Sequence, residues 1–180
     1  MHAHSTNAGF SLLELMIVVS ITAILAAVAI PSFRTVILDS KRTTTVNDLM
    51  ASLQLARGEA AKLGQPVVVC PSNSGGTACI NSTSWSGGWL MYANTDTTEP
   101  PALENTDRIL QLAAAVSSDI VITSSVSSFV FRPFGGRNTN GNFKFCDPRG
   151  SGHAKSIIVN TSGRARLSDV SSSGSALTCS

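Results

Sequence analysis

The chain has 180 residues, 13% of them charged and 43% hydrophobic, with a formal net charge of +2. A charged share about half the usual one, beside abundant Ser, Thr, Gly and Ala, argues for a secreted, loop-rich β structure and against a cytosolic enzyme. The length allows one modest core, not two, and a globular part of about 110 residues once the apolar first third is set aside.

Phe10 to Ile30 is an apolar run of 21 residues, interrupted by Ser11, Glu14, Ser20 and Thr22. At about 1.5 Å per residue a helix of that length crosses a bilayer. A secretory signal places its small-residue cleavage site after the apolar core. Here the small residue, Gly9, stands before it, so cleavage would leave the helix on the mature protein as an anchor. Glu14 is the informative interruption: a carboxylate near the membrane interior costs about 2.5 to 3.5 kcal/mol on insertion scales and needs a partner.

Gly9, Phe10, Glu14 at the fifth position after it in mature numbering, and Pro31 at the twenty-second together resemble the signal of type IV pilins and pseudopilins. The resemblance implies a leader over residues 1–9, removed by a prepilin peptidase that cleaves after Gly9 and methylates the new amine of Phe10. It also implies that Glu14 pairs with the N-terminal amine of a neighbouring subunit during assembly. The leader departs from the family's usual basic character, since Met1 to Gly9 offers only His2 and His4 beside the amino terminus.

After Pro31, which is expected to kink the helix, Val46, Leu49, Met50, Leu53, Ala56, Ala60 and Leu63 recur at steps of three and four. This amphipathic stripe predicts that residues 31–63 continue the helix to a stop at Gly64 and pack on a sheet. Beyond Gly64, residues 64–180 form a β-rich globular domain. Strands are predicted at Val67–Cys70, Trp89–Tyr92, Ile109–Leu112, Ile120–Thr123, Phe129–Arg132, Phe143–Cys146, Ser156–Val159 and Ala165–Leu167. Phe129 with Phe131, and Phe143 with Phe145, share strand faces and are expected against the stripe. The predicted class is α+β: one long N-terminal helix on an antiparallel sheet.

Four cysteines, Cys70, Cys79, Cys146 and Cys179, follow the apolar run, and an even count on an exported domain reads as two disulfides. Three pairings are open; Cys70–Cys79 with Cys146–Cys179 is favoured because short loops close most readily. Each would contribute roughly 2.5 to 4 kcal/mol in the chain-entropy account. A zinc site lacks the C-x-x-C or Cys/His spacing it requires, so no metal or cofactor is expected.

The segment from Val67 to Cys70 followed by Pro71, Gly75, Gly76, Cys79, Trp85, Gly88 and Trp89 resembles the centre of FimT/GspH minor pilins. Phe145-Cys146-Asp147, Gly150, Ile157 to Val159 and Gly163-Arg164-Ala165-Arg166 resemble its C-terminal end. Read without the family, Trp85 and Trp89 are core or turn-packing residues before they are ligand-stacking ones.

Charge is unevenly spread. Phe129 to Ser180 holds seven Lys or Arg against two acids, whereas Asn81 to Ser128 holds one Arg against five acids. Arg164 and Arg166 lie at i and i+2, so on a strand both leave one face, and two guanidinium forks there suit successive phosphates. In FimT-type pilins of naturally competent bacteria the Gly-Arg-x-Arg element is associated with binding DNA, which makes Arg164 and Arg166 candidate contacts by resemblance. Lys144, Arg149, Lys155, Arg132 and Arg137 would extend the patch if the fold gathered them; the competing reading pairs these charges with Asp147 and Asp169. With no aromatic interleaving, binding to double-stranded DNA would be led by phosphate and independent of sequence.

Catalysis has little support: without the leader His153 is the remaining histidine, in a Gly/Ser loop, and no Gly-x-Ser-x-Gly elbow or H-E-x-x-H pair occurs. Asn81-Ser82-Thr83 and Asn160-Thr161-Ser162 match glycosylation sequons, but triplets of this kind arise by chance and the leader points to a bacterial host. The expected function is that of a minor pilin of a type IV pilus, first in the bacterial inner membrane with a periplasmic domain. It would assemble with other pilins and take up DNA for natural transformation. The alternative is a minor pseudopilin of a type II secretion system, which has no need of the basic element.

Overall fold

A computed structural model describes residues 9–95, 103–104, 106–133, 136 and 138–179. Its elements in chain order are α1 (Leu12–Leu63), β1 (Val67–Pro71), β2 (Trp89–Ala93), β3 (Arg108–Ala113), β4 (Val121–Ser124), β5 (Phe129–Phe131), β6 (Gly141–Cys146), a 3-10 turn at Ser151–His153, β7 (Lys155–Val159) and β8 (Ala165–Ser168). The chain divides into two compact units, the first ending at Asp39 and the second Ser40–Ser180.

In the first unit, α1 begins at Leu12 and not at Phe10, because Ser11 caps it. The Ser11 hydroxyl oxygen accepts the Glu14 backbone N–H at 3.2 Å, satisfying one of the four donors that every helix start leaves without an intrahelical partner. Ser11 and Glu14 have the spacing of a capping box. The helix runs on through Pro31. Its apolar side chains are bare: Phe10, Leu12, Met16, Ile17, Val18, Ile24 and Val28 are all more than half exposed. An apolar surface of that extent marks a segment meant for lipid or for other helices. The Ser20 and Thr22 hydroxyls donate back to the carbonyls of Met16 and Val18 at 2.7 and 2.8 Å, so neither brings an unpaired donor to apolar surroundings.

The second unit holds two four-stranded antiparallel sheets, ordered β3-β2-β1-β5 and β4-β6-β7-β8. All eight predicted strands are present, but they form two sheets where one was expected. The division arises between β4 and β5: β4 pairs with β6, whereas Phe129 to Phe131 pair with β1. The seam is closed by aromatic rings. Phe129 of one sheet stacks on Phe143 of the other at 4.6 Å, and Trp85 stands edge-on to Phe143 at 4.8 Å and to Phe129 at 6.0 Å. Such pairs contribute roughly 0.5 to 1.5 kcal/mol beyond their burial.

One core cluster joins everything around the helix. Val46, Leu49, Leu53, Ala56 and Ala60 of α1 meet Val67, Val69 and Met91 of the first sheet and Phe143, Phe145, Ile157 and Val159 of the second. Their spacing of three and four keeps them on one face of a helix with 3.6 residues per turn. Trp89 is also core, its indole N–H donating to the Ser52 hydroxyl at 3.0 Å, so both tryptophans are packing residues. The second face of β1 is covered as well, Val68 and Cys70 packing with Leu90, Tyr92 and Val130. Gly64 ends the helix at φ +67°, where a side chain is strained, and its N–H returns to the Ala60 carbonyl at 3.1 Å. The disulfides are Cys70–Cys79 and Cys146–Cys179.

Candidate functional sites

The first candidate site is the start of the first unit. Of the residues that a leader would comprise, 1–8 lie outside the described ones. Gly9 and Phe10 are exposed, and a Cβ built on Gly9 meets nothing within 4 Å. Among the described residues, no packing requirement calls for glycine there. Glu14 lies exposed in the first helical turn, and its carboxylate has no partner among the described residues. A negative charge suits the positive end of the helix dipole.

The second site is the turn from β7 to β8 and the strand that follows. Asn160 organises the turn. Its side-chain oxygen accepts from the backbone N–H groups of Ser162 and Arg164 at 3.1 and 3.0 Å, while the Asn160 N–H donates to the Arg164 carbonyl at 3.1 Å. Gly163 closes the turn at φ +74°, and a Cβ there would stand 3.0 Å from the Asn138 amide nitrogen and 3.3 Å from the Phe131 ring. Both the backbone conformation and the close approach therefore require glycine. Asn138 ties the turn to the end of β5: its side-chain oxygen accepts the Arg132 N–H at 2.7 Å and its amide donates to the Thr161 carbonyl at 3.2 Å. In the sequence Asn160 stands out only as part of a chance sequon and Asn138 not at all, since an isolated Asn gives no signal beyond a loop.

From this turn the chain enters β8 with Val159 opposite Ala165 and Ile158 opposite Arg166. Ala165 packs against the core cluster. The pleat then sends Arg164 and Arg166 outward together, and both line one small concavity with Ile158, Asn160 and Ala165. Neither guanidinium makes a hydrogen bond or ion pair with a described residue.

The other expected cations are placed differently. Arg149 is a correction: it is turned inward, its Nε and Nη2 donating to the two oxygens of Asp147 at 3.0 and 2.7 Å, and its side chain is 14% exposed. A bidentate partner on a neighbouring carboxylate holds it more firmly than a solvated phosphate would. Lys155 pairs with Asp169, and Lys144 donates to the Thr178 carbonyl at 2.7 Å. Arg137 lies outside the described residues. Of the expected cations among the described residues, Arg164 and Arg166 are the two with no hydrogen-bond or ion-pair partner.

Asp147 also receives Arg42 from α1, at 3.1 Å, and the same Arg42 nitrogen donates to the His153 carbonyl at 2.5 Å. The Asp147 side chain is fully buried. The Arg149 side-chain hydrogen bond holds its carboxyl below the usual carboxylate value; burial opposes this, and the Arg149 N–H and the charges of Arg149 and Arg42 reinforce it. This buried cluster beside the Cys146–Cys179 bridge is structural, and nothing in the residue order foreshadows Arg42 as its third member.

Comparison with known proteins agrees with this arrangement. The prokaryotic N-terminal methylation motif matches residues 4–30. Fimbrial protein Q of Moraxella bovis is 37% identical over 86 residues, 42% of this chain and 55% of that protein, so the chain spans about half the length of this curated relative. The type IV minor pilin FimU of Pseudomonas aeruginosa PAO1 shares the fold in two crystal forms, each with a TM-score of 0.53. At 15% identity the first covers 70% of this chain and 91% of FimU, and at 17% the second covers 73% and 87%. The family model described as type II transport protein GspH matches residues 45–163, more than half of the 180, and together with the N-terminal motif it places the chain in the GspH family of minor pilins and pseudopilins.

Proposed function

We propose that this minor pilin serves a type IV pilus and binds extracellular DNA through Arg164 and Arg166. In this reading α1 holds the precursor in the inner membrane with the second unit in the periplasm. Prepilin peptidase cuts after Gly9 and methylates Phe10, and Glu14 then meets the amine of a neighbouring subunit as the helix leaves the lipid. That pairing compensates the charge of a carboxylate that would otherwise stand alone in apolar surroundings, and so favours correct stacking. The observation that carries the DNA reading is the β8 geometry: two unpaired guanidinium groups leave one face while Ala165 anchors the strand to the core.

The test uses the processed full-length protein in neutral detergent with duplex DNA of unrelated sequences. Binding should be weak, indifferent to sequence and sensitive to salt. Arg164→Ala with Arg166→Ala should lower the slope of log affinity against log salt by roughly 2, since each phosphate contact contributes about 0.9. Folded wild-type protein that binds no DNA at low salt would overturn the reading. The family description, a type II transport protein, favours a second one, a pseudopilin of a secretion system. Deleting the gene would then abolish export of folded proteins and leave transformation intact.

A further inference from the structure

A second concavity, of about 600 Å³, adjoins the Gly-Arg-x-Arg element on the side of α1. Its walls are Gln54, Arg57, Gly58 and Ala61 from the helix and Gly163 to Ala165 from the turn and strand. Arg164 and Ala165 also line the first concavity, so the two adjoin there and together make a track lined by Arg57, Arg164 and Arg166. No acidic residue lines either part. Arg57 is exposed, and like the other two its guanidinium engages no described residue.

We infer that Arg57 is a third nucleic-acid contact and that the phosphodiester backbone runs along this track, from the β8 face across the floor made by Gly58 and Ala61. This rests on the DNA reading above. The charge is of one sign, and guanidinium groups on opposite walls can grip phosphates from two sides. The floor is shaped for close approach, because Gly58 and Ala61 carry almost no side chain. A Cβ on Gly58 meets nothing within 4 Å, and no positive φ demands glycine there, so the fold does not need that residue to be small. Glycine inside a helix is unfavourable by about 1 kcal/mol relative to alanine. An open groove is what it provides in return.

The experiment compares processed full-length protein in neutral detergent, titrated with a 30-base-pair duplex over a range of salt. Arg57→Gln should weaken binding about eightfold at 0.1 M salt and make the salt slope shallower by about 0.9. Lys62→Gln removes the same charge from the same helix but lies outside the track and is paired with Glu59 at 3.1 Å, and should bind as wild type does. Gly58→Leu, which fills the floor without touching the core, should weaken binding at every salt concentration. Intrinsic tryptophan fluorescence checks that each variant is folded.

If Arg57→Gln matches wild type while the Arg164, Arg166 double variant is impaired, Arg57 is no contact and this inference alone falls. Equal losses for Arg57→Gln and Lys62→Gln would mean diffuse charge and would overturn it too. Wild-type protein that binds no DNA overturns this inference and the reading beneath it. An acidic segment of a partner pilin in the same track would leave DNA slopes unchanged and reduce recovery of partner subunits with Arg57→Gln, which also overturns the assignment.

Discussion

Removing the Asp147 carboxylate should be among the most damaging single changes in the second unit. Asp147 accepts from Arg149 Nε, Nη2 and backbone N–H at 3.0, 2.7 and 3.0 Å, and from Arg42 at 3.1 Å, with its own side chain wholly buried. Arg42 and Arg149 are themselves only 10% and 14% exposed in their side chains. Asp147→Ala therefore strands two cations away from water, a change of about 3 to 5 kcal/mol. Against a total stability of roughly 5 to 15 kcal/mol that is a large fraction, and for a unit of this size it lowers the melting temperature on the order of 10 °C.

Trp85 and Trp89, the chain's two tryptophans, are both in the core of this unit. Their fluorescence during thermal unfolding of the full-length protein in detergent reports on it without interference from the apolar helix. A midpoint within about 2 °C of wild type would refute the argument, because it would mean that the two arginines find water or other acceptors at no net cost. The pH dependence supplies a second check. Since the folded carboxyl titrates below the unfolded value of about 3.9, its stabilisation is complete above that pH and lost as the pH falls through the folded value. Wild type should lose stability on acidification below about pH 4, and Asp147→Asn, already destabilised at neutral pH, should lose less.

Gly9→Val should leave unprocessed precursor, visible as a larger band in membranes; a mature product of normal size would remove the leader assignment. Glu14→Ala should be cleaved normally yet poorly incorporated, and its presence in purified pili at wild-type level would show that the carboxylate pairs with nothing during assembly. Gly163→Ala should lower stability by roughly 1 to 3 kcal/mol, from the left-handed backbone and the 3.0 Å approach to Asn138. The same substitution should weaken DNA binding by displacing Arg164; unchanged melting and unchanged affinity together would contradict the account of the turn.

The local features were legible because they are written in neighbouring residues. The stripe from Val46 to Leu63 repeats at helical spacing, Gly64 supplies the left-handed stop, and each strand is a short apolar run between turn residues. Short loops also made Cys70–Cys79 and Cys146–Cys179 the favoured bridges, and these are the ones present. Arg164 and Arg166 read as a same-face pair because a two-residue period is a property of any strand.

What the sequence by itself determined, then, is everything governed by separations of a few residues: the apolar helix, its stop, the strands, the turn glycine and the paired arginines. The tertiary structure alone decided matters that depend on distant segments meeting. It split the strands into two sheets by pairing β5 with β1, and it brought Arg42, 105 residues away, onto the Asp147 carboxylate as a second cation beside Arg149, burying all three. It also brought Arg57 alongside Arg164. In each case the outcome rests on which partner a strand edge or a charge finds in space. A charge exposed in one neighbourhood and buried against a carboxylate in another has the same letter in the sequence, and only the folded surroundings give it a role.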